Sequence, residues 1–147
     1  MNDKIQPTVQ DMITKFNGSY DIARKISAPD PSNSFSACGK AVFSHKSDNI
    51  ILYQEEVVLY DSMNKELSQM KKSYFYQYDT GTHKIRKLFA DGNLFHELIL
   101  KEGSFYGEHL CNLDLYTARY LLNNKHLGIT YNVLGPKKNY VISTNYY

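Results

Sequence analysis

The stretch Lys84-Ile85-Arg86-Lys87-Leu88-Phe89-Ala90-Asp91-Gly92-Asn93-Leu94-Phe95-His96-Glu97-Leu98 sets two short apolar runs on either side of an Asp-Gly pair. Asp-Gly suits the positive-φ turn of a tight hairpin, because Gly has no Cβ and Asp tolerates a left-handed backbone. The reading is two antiparallel strands, Lys84–Ala90 and Asn93–Leu100, joined at Asp91-Gly92.

The same punctuation recurs outward from this hairpin. Ser47-Asp48-Asn49, Thr80-Gly81-Thr82 and Gly135-Pro136 are all turn chemistry. Between them lie further expected strands at Ser36–His45, Ile50–Asp61, Glu66–Asp79, Ser104–Cys111, Leu115–Leu122, Gly128–Leu134 and Tyr140–Tyr146. Ahead of these, Tyr20, Ile22, Arg24 and Ile26 alternate with Ser19, Asp21, Ala23 and Lys25, which is a strand period. Pro29 and Pro31 make Ala28 to Ser34 a loop. Only the segment from Pro7 to Phe16 has helical spacing, with Val9, Met12, Ile13 and Phe16 on one face and Asn17-Gly18 as the stop.

About ten short strands joined by short turns point to an up-and-down antiparallel barrel, because closure removes the exposed edges of a long meander. The expected organisation is one β-barrel domain over 1–147, with 1–6 flexible and 7–16 a helical lead-in that closes one end beside Tyr20. The 147 residues suit one core, and 42% hydrophobic against 22% charged residues argues against wholesale disorder.

Charge narrows the function. The net charge is +2, from 17 basic and 15 acidic residues, and the basic pairs are scattered. No electrostatic footprint for nucleic acid is present, and no nucleic-acid partner is expected. No apolar run reaches the ~18 residues of a membrane span, and Met1 to Gln10 has no signal-like apolar core. Cys38 and Cys111 are therefore read as reduced thiols in a cytoplasmic protein.

Several polar groups are expected to face the bore. Arg24 shares a face with Tyr20 and Ile22, and a buried guanidinium needs a carboxylate. Alternation puts Tyr53 and Glu55 on one face and Glu56 on the other, so Glu55 is the natural partner. Phe95 and His96 are expected on opposite faces of their strand. His109 and Cys111 share a face, the turn Asn112 to Asp114 follows, and Tyr116 and Tyr120 alternate beyond it. Cys with His can form a nucleophile, and His, Cys and Asp can hold zinc, but paired Cys-x-x-Cys spacing is missing. No metal site and no cofactor are expected. Lys137-Lys138 forms either a solvated turn or a cationic rim for an anionic ligand.

Taken in order, these pieces resemble a family of short bacterial and fungal proteins catalogued as a domain of unknown function. The matching segments are Phe16-x-Gly18-x-Tyr20 with Arg24 and Ile26; Gly39-x-Ala41-x-Phe43; and Leu52-Tyr53-x-Glu55. Tyr74-x-Tyr76 and Asp91-Gly92-x-x-Phe95-His96-x-Leu98 come next, then His109-x-Cys111-x-x-Asp114-x-Tyr116-x-x-x-Tyr120. Gly135-Pro136-Lys137-Lys138-x-Tyr140-x-Ile142-x-Thr144-x-Tyr146 closes the set. The family pattern has Trp where this chain has Tyr20. The resemblance implies a calycin-like, lipocalin-like barrel and no particular activity.

The first functional expectation is a barrel that binds a small apolar or aromatic ligand. Its lining would be Arg24, Tyr53, Glu55, Tyr74, His96, His109, Cys111, Tyr116 and Tyr120. The alternative is a small cofactor-free enzyme of hydrolase, isomerase or lyase type, with His109, Glu55 and Asp114 as the catalytic candidates. A haem barrel ranks lower, since the glycine-rich haem-barrel signature is missing from the N-terminus. The remaining reading is a ligand-free interaction module, monomer or homodimer, pairing through an open edge at the last strand.

Overall fold

The computed structural model describes residues 17–79, 83–123 and 126–147. The expected lead over 1–6, the helix over 7–16 and the Thr80-Gly81-Thr82 turn lie outside the described residues. Ten strands follow in chain order: β1 (Gly18–Ser27), β2 (Phe35–Ser47), β3 (Ile50–Tyr60), β4 (Glu66–Tyr78), β5 (Lys84–Phe89), β6 (Leu94–Lys101), β7 (Ser104–Cys111), β8 (Asp114–Asn123), β9 (His126–Leu134) and β10 (Asn139–Tyr146). Between β1 and β2 the proline loop makes one 3-10 turn, Pro31–Asn33, capped by Asp30 accepting from the Ser32 amide at 3.0 Å.

Each strand pairs antiparallel with its chain neighbours. β1 also pairs with β10, from Ile22↔Tyr146 to Ser27↔Val141, so the sheet closes into a single barrel. The expected fold class stands. The open edge at the last strand does not, because β10 is paired on both sides, with β1 and with β9. Closure satisfies the backbone groups that an edge would offer to a second chain.

Alternation places one face of every strand inside. At the end where β1 begins, the bore is filled by Ile22, Phe43, Ile51, Leu98, Phe105 and Leu127, all buried. Tyr20 packs edge-on against Phe43 at 5.8 Å between ring centroids, in the place expected for a plug.

Two local features shape the interior. On β2 the inward positions between β1 and β3 are Ala37, Gly39 and Ala41, which leave the wall thin there. Gly39 is required by the close approach of β3: a Cβ at this position would collide with the carbonyl oxygen of Glu56 and sit 2.8 Å from the Val57 Cα. On β6 the register slips by one residue. Lys87 pairs with His96 and Leu88 with Leu94, so Phe95 is left opposite no residue. This bulge corrects the expected split of Phe95 from His96, since an extra residue re-aims the side chains of a strand. His96 is buried, and Phe95 stacks on Phe89 at 4.7 Å while lining the bore.

Gly39→Ala is expected to lower stability by about 1–3 kcal/mol through this backbone collision. Urea unfolding of the variant against the parent chain checks it, and an unchanged midpoint would refute the close-approach account.

Candidate functional site

Past the apolar floor, the bore carries a layer of polar side chains that bond to one another. On one side, Arg24 reaches over the small residues of β2 to Glu55 on β3. The pair is bidentate, with Nη1 donating to Oε2 at 2.9 Å and Nη2 to Oε1 at 2.8 Å. Arg24 Nε donates to Thr144 Oγ1 at 2.8 Å. The Tyr53 hydroxyl donates to Glu55 Oε1 at 2.6 Å and lies 2.9 Å from the Tyr146 hydroxyl. Burial alone would disfavour both charges. The mutual hydrogen bonds and opposite charge outweigh it, raising the Arg24 pKa and lowering that of Glu55. Burial, with Tyr146 and Glu55 nearby, holds the Tyr53 phenol protonated, and burial pushes Tyr146 up to about 12.

Across the bore lies a second network with no carboxylate in it. Lys87 on β5 donates to the Tyr131 hydroxyl at 2.9 Å and to the Tyr120 hydroxyl at 3.3 Å. Tyr120 meets Tyr76 at 2.7 Å, and His96 Nε2 meets the Tyr131 hydroxyl at 2.9 Å. Lys87 is 5% exposed, and its ammonium lies 4.2 Å from the centre of the Tyr74 ring. It forms no ion pair among the described residues. Burial pushes its pKa down to about 7, the distant Glu55 charge only partly opposing it. Burial first, then Lys87, push the His96 imidazole down to about 3, against the pull of the Glu97 backbone. Its Nδ1 is buried with no partner in hydrogen-bonding geometry. The Gly107 backbone lies so close that a Cβ there would come within 2.6 Å of that nitrogen.

Above this layer is a cavity of about 280 Å³. Its polar walls are Arg24, Glu55, Lys72, Lys87 and Thr144, and its aromatic walls include Tyr53, Tyr74, Phe95, Tyr116 and Tyr131. Ile26, Leu59, Met70 and Ile142 complete it toward the mouth. Three basic side chains thus face one carboxylate, and that carboxylate is already bonded to Arg24.

A model of a family of unknown function (DUF6314) matches residues 16–147. The chain belongs to that family. No curated protein sequence matches it. Among solved structures, it is similar to the S-type phycobiliprotein lyase CPES from Guillardia theta, with a TM-score of 0.74 at 11% identity, covering 99% of this chain and 95% of that one. It also overlays on a de novo designed fluorescence-activating β-barrel, with a TM-score of 0.49 at 7% identity, covering 92% and 95%. A redesigned barrel, mFAP1 bound to DFHBI, gives 0.47 at 6%, covering 91% and 95%. At these identities the likeness is one of fold, and with the lyase it extends over nearly the whole of both chains.

The expected lining divides into three groups. Arg24, Tyr53, Glu55, Tyr74 and Tyr116 border the cavity. His96 and Tyr120 lie behind it, tied to Tyr131. His109 and Cys111 do not border it. His109 packs on the far side of Phe95, 5.2 Å between centroids, and Cys111 is exposed near the end of β7. Asp114 sits at the rim with Lys138, 3.2 Å away. Lys138 also donates to the Tyr116 hydroxyl at 3.3 Å, and these two partners raise its pKa. No hydrogen bond or ion pair joins His109, Glu55 and Asp114 to one another, so the expected acid–base cluster does not assemble. Among the described residues there is no group of three metal-ligating side chains.

Sequence reasoning missed Lys72, Lys87 and Tyr131 as cavity residues. Along the chain, Lys87 with Arg86 is only one of several scattered basic pairs. The available signal was its parity, since Ile85, Lys87 and Phe89 share the apolar face of their strand.

Glu55→Gln is expected to cost about 3 kcal/mol, because it leaves the Arg24 charge buried and uncompensated. Arg24→Met combined with Glu55→Leu is expected to recover most of that loss. Chemical denaturation of these variants measures both; equal losses in single and double variants would contradict the pairing argument.

A second outcome concerns pH. Between about pH 7 and 10 the unfolded chain binds a proton at Lys87 that the folded chain does not. Stability from this site therefore rises with pH across that window and carries its full penalty below it. Lys87→Met removes the term. The variant's stability advantage is expected to be largest near pH 7 and to shrink by about 1.4 kcal/mol per pH unit above it. Parallel unfolding curves at pH 7, 8 and 9 read the slope, and a pH-independent difference would show that Lys87 is charged throughout.

Proposed function

We propose that the barrel binds one small, largely aromatic molecule that carries an acidic group. The observation behind this reading is the cavity of about 280 Å³ with ringed walls and three basic side chains against one carboxylate. The volume is just under the usual range of about 300–1000 Å³ for ligand pockets, so a compact ligand suits it. Aromatic walls supply contact area at low entropic cost, and a few placed polar groups set orientation.

The charges divide the work. Arg24 is occupied by Glu55 and contributes a fixed positive edge. Lys72 stands opposite Glu55 in the β3–β4 register and makes no ion pair among the described residues. Its ammonium is the group best placed to receive an acid near the mouth. The likeness to a phycobiliprotein lyase supports the cup architecture and leaves the ligand to be identified from the cavity itself. Catalysis by His109, Glu55 and Asp114 has no comparable support, because those side chains do not meet.

Lys72→Gln is expected to weaken binding of a small aromatic carboxylate such as 4-methylbenzoate by about tenfold, the equivalent of about 1.4 kcal/mol. Binding of the neutral analogue 4-methylbenzyl alcohol should change little. Titration calorimetry on both proteins decides it: no uptake of either compound by the parent chain would overturn the reading.

A further inference from the structure

We propose that Lys87 captures the carbonyl group of an aromatic aldehyde or ketone in the cavity as a reversible imine. This deepens the binding reading above and rests on it.

Three features of the geometry carry it. First, Lys87 borders the cavity although it is only 5% exposed, so a molecule held in the cavity, and not bulk water, would be its neighbour there. Second, no carboxylate touches it. Its neighbours are the hydroxyls of Tyr131 and Tyr120 and the faces of Tyr74, Phe95 and Tyr131, the last three rings 4.2, 5.3 and 5.2 Å from the amine. A carboxylate would hold the amine as an ammonium, which has no lone pair. Two phenol oxygens accept its N–H groups and leave that pair for a carbon electrophile. A lysine desolvated in this way is the general device for an amine nucleophile. Third, the cavity that Lys87 borders is also walled by Tyr74, Phe95 and Tyr131, and aromatic walls suit a flat, conjugated carbonyl compound.

The lowered basicity of Lys87 agrees with this placement, since a pKa near 7 leaves much of the amine free at neutral pH. In the capture step the nitrogen lone pair forms a bond to the carbonyl carbon, giving a carbinolamine. The C–O bond then breaks as C=N forms. The two amine protons leave with the carbonyl oxygen as water, so no oxidant or reductant is consumed. The Tyr131 hydroxyl, 2.9 Å from Nζ and 2.9 Å from His96 Nε2, is the group positioned to pass a proton between nitrogen and the departing oxygen. Lys72 near the mouth supplies a site for an acidic substituent at the other end of the same molecule.

The test uses the full chain with 4-formylbenzoate, sodium cyanoborohydride to trap any imine, and peptide mass mapping. Lys87 is expected to be labelled at least about tenfold faster than any exposed lysine, because far more of it is free amine near neutral pH. An excess of 4-methylbenzoate, which has no carbonyl to capture, is expected to protect it. The Lys87→Met variant, checked for fold by circular dichroism, should lose that fast label and keep slow labelling at exposed lysines. Labelling confined to exposed lysines while 4-methylbenzoate still binds would overturn the capture and leave the binding reading intact. Labelling confined to exposed lysines with no binding of 4-methylbenzoate would overturn both.

Discussion

Arg24 and Glu55 are charged groups inside a closed β-barrel, where an unpaired ion costs several kcal/mol. Neither is tolerable there without the other, and their bidentate contact, 2.8 and 2.9 Å, sets conditions on everything around it. The strand between them must present small side chains, and it presents Ala37, Gly39 and Ala41. The remaining donors and acceptors must be met, which Thr144, Tyr53 and Tyr146 do. A polar wall fixed in this way cannot pack like the apolar floor beneath it. The space it leaves is the cavity.

The opposite wall solves a related problem differently. Lys87 is also buried, yet it is held by phenols and ring faces and not by a counter-ion. Cation–π contact and two hydrogen bonds offset only part of the desolvation, so the amine gives up its proton easily. The bore therefore has one wall where charge is locked and one where charge is conditional. That asymmetry is what separates a structural ion pair from a group with unused chemistry.

Much of the fold was legible along the chain. Period-two alternation and turn residues placed the strands within a few residues, because each strand buries one face and each turn needs its own backbone geometry. The Arg24–Glu55 pair was legible for the same reason: both residues sit at inward positions of their strands, one strand apart, and burial forces opposite charges together. Tyr53 and Tyr116 of the aromatic lining followed from parity too, while Tyr74 came with the family pattern. The acid–base cluster was not legible, since sharing a strand face with the bore says nothing of depth. Cys111 lies too near the strand end to be covered, and His109 is screened from the cavity by Phe95.

The sequence by itself determined which segments are strands, which of their faces are apolar and which charges had to find partners, because those are local properties of alternation and solvation. Only the tertiary structure decided what meets across the bore. Contacts such as Lys87 with Tyr131, His96 with Tyr131 and Tyr76 with Tyr120 join strands far apart around the circumference. They depend on the closure of β1 onto β10 and on the single-residue slip at Phe95, which together set the height of each side chain in the barrel. Height and opposition are properties of the closed cylinder, and no period along one strand encodes them.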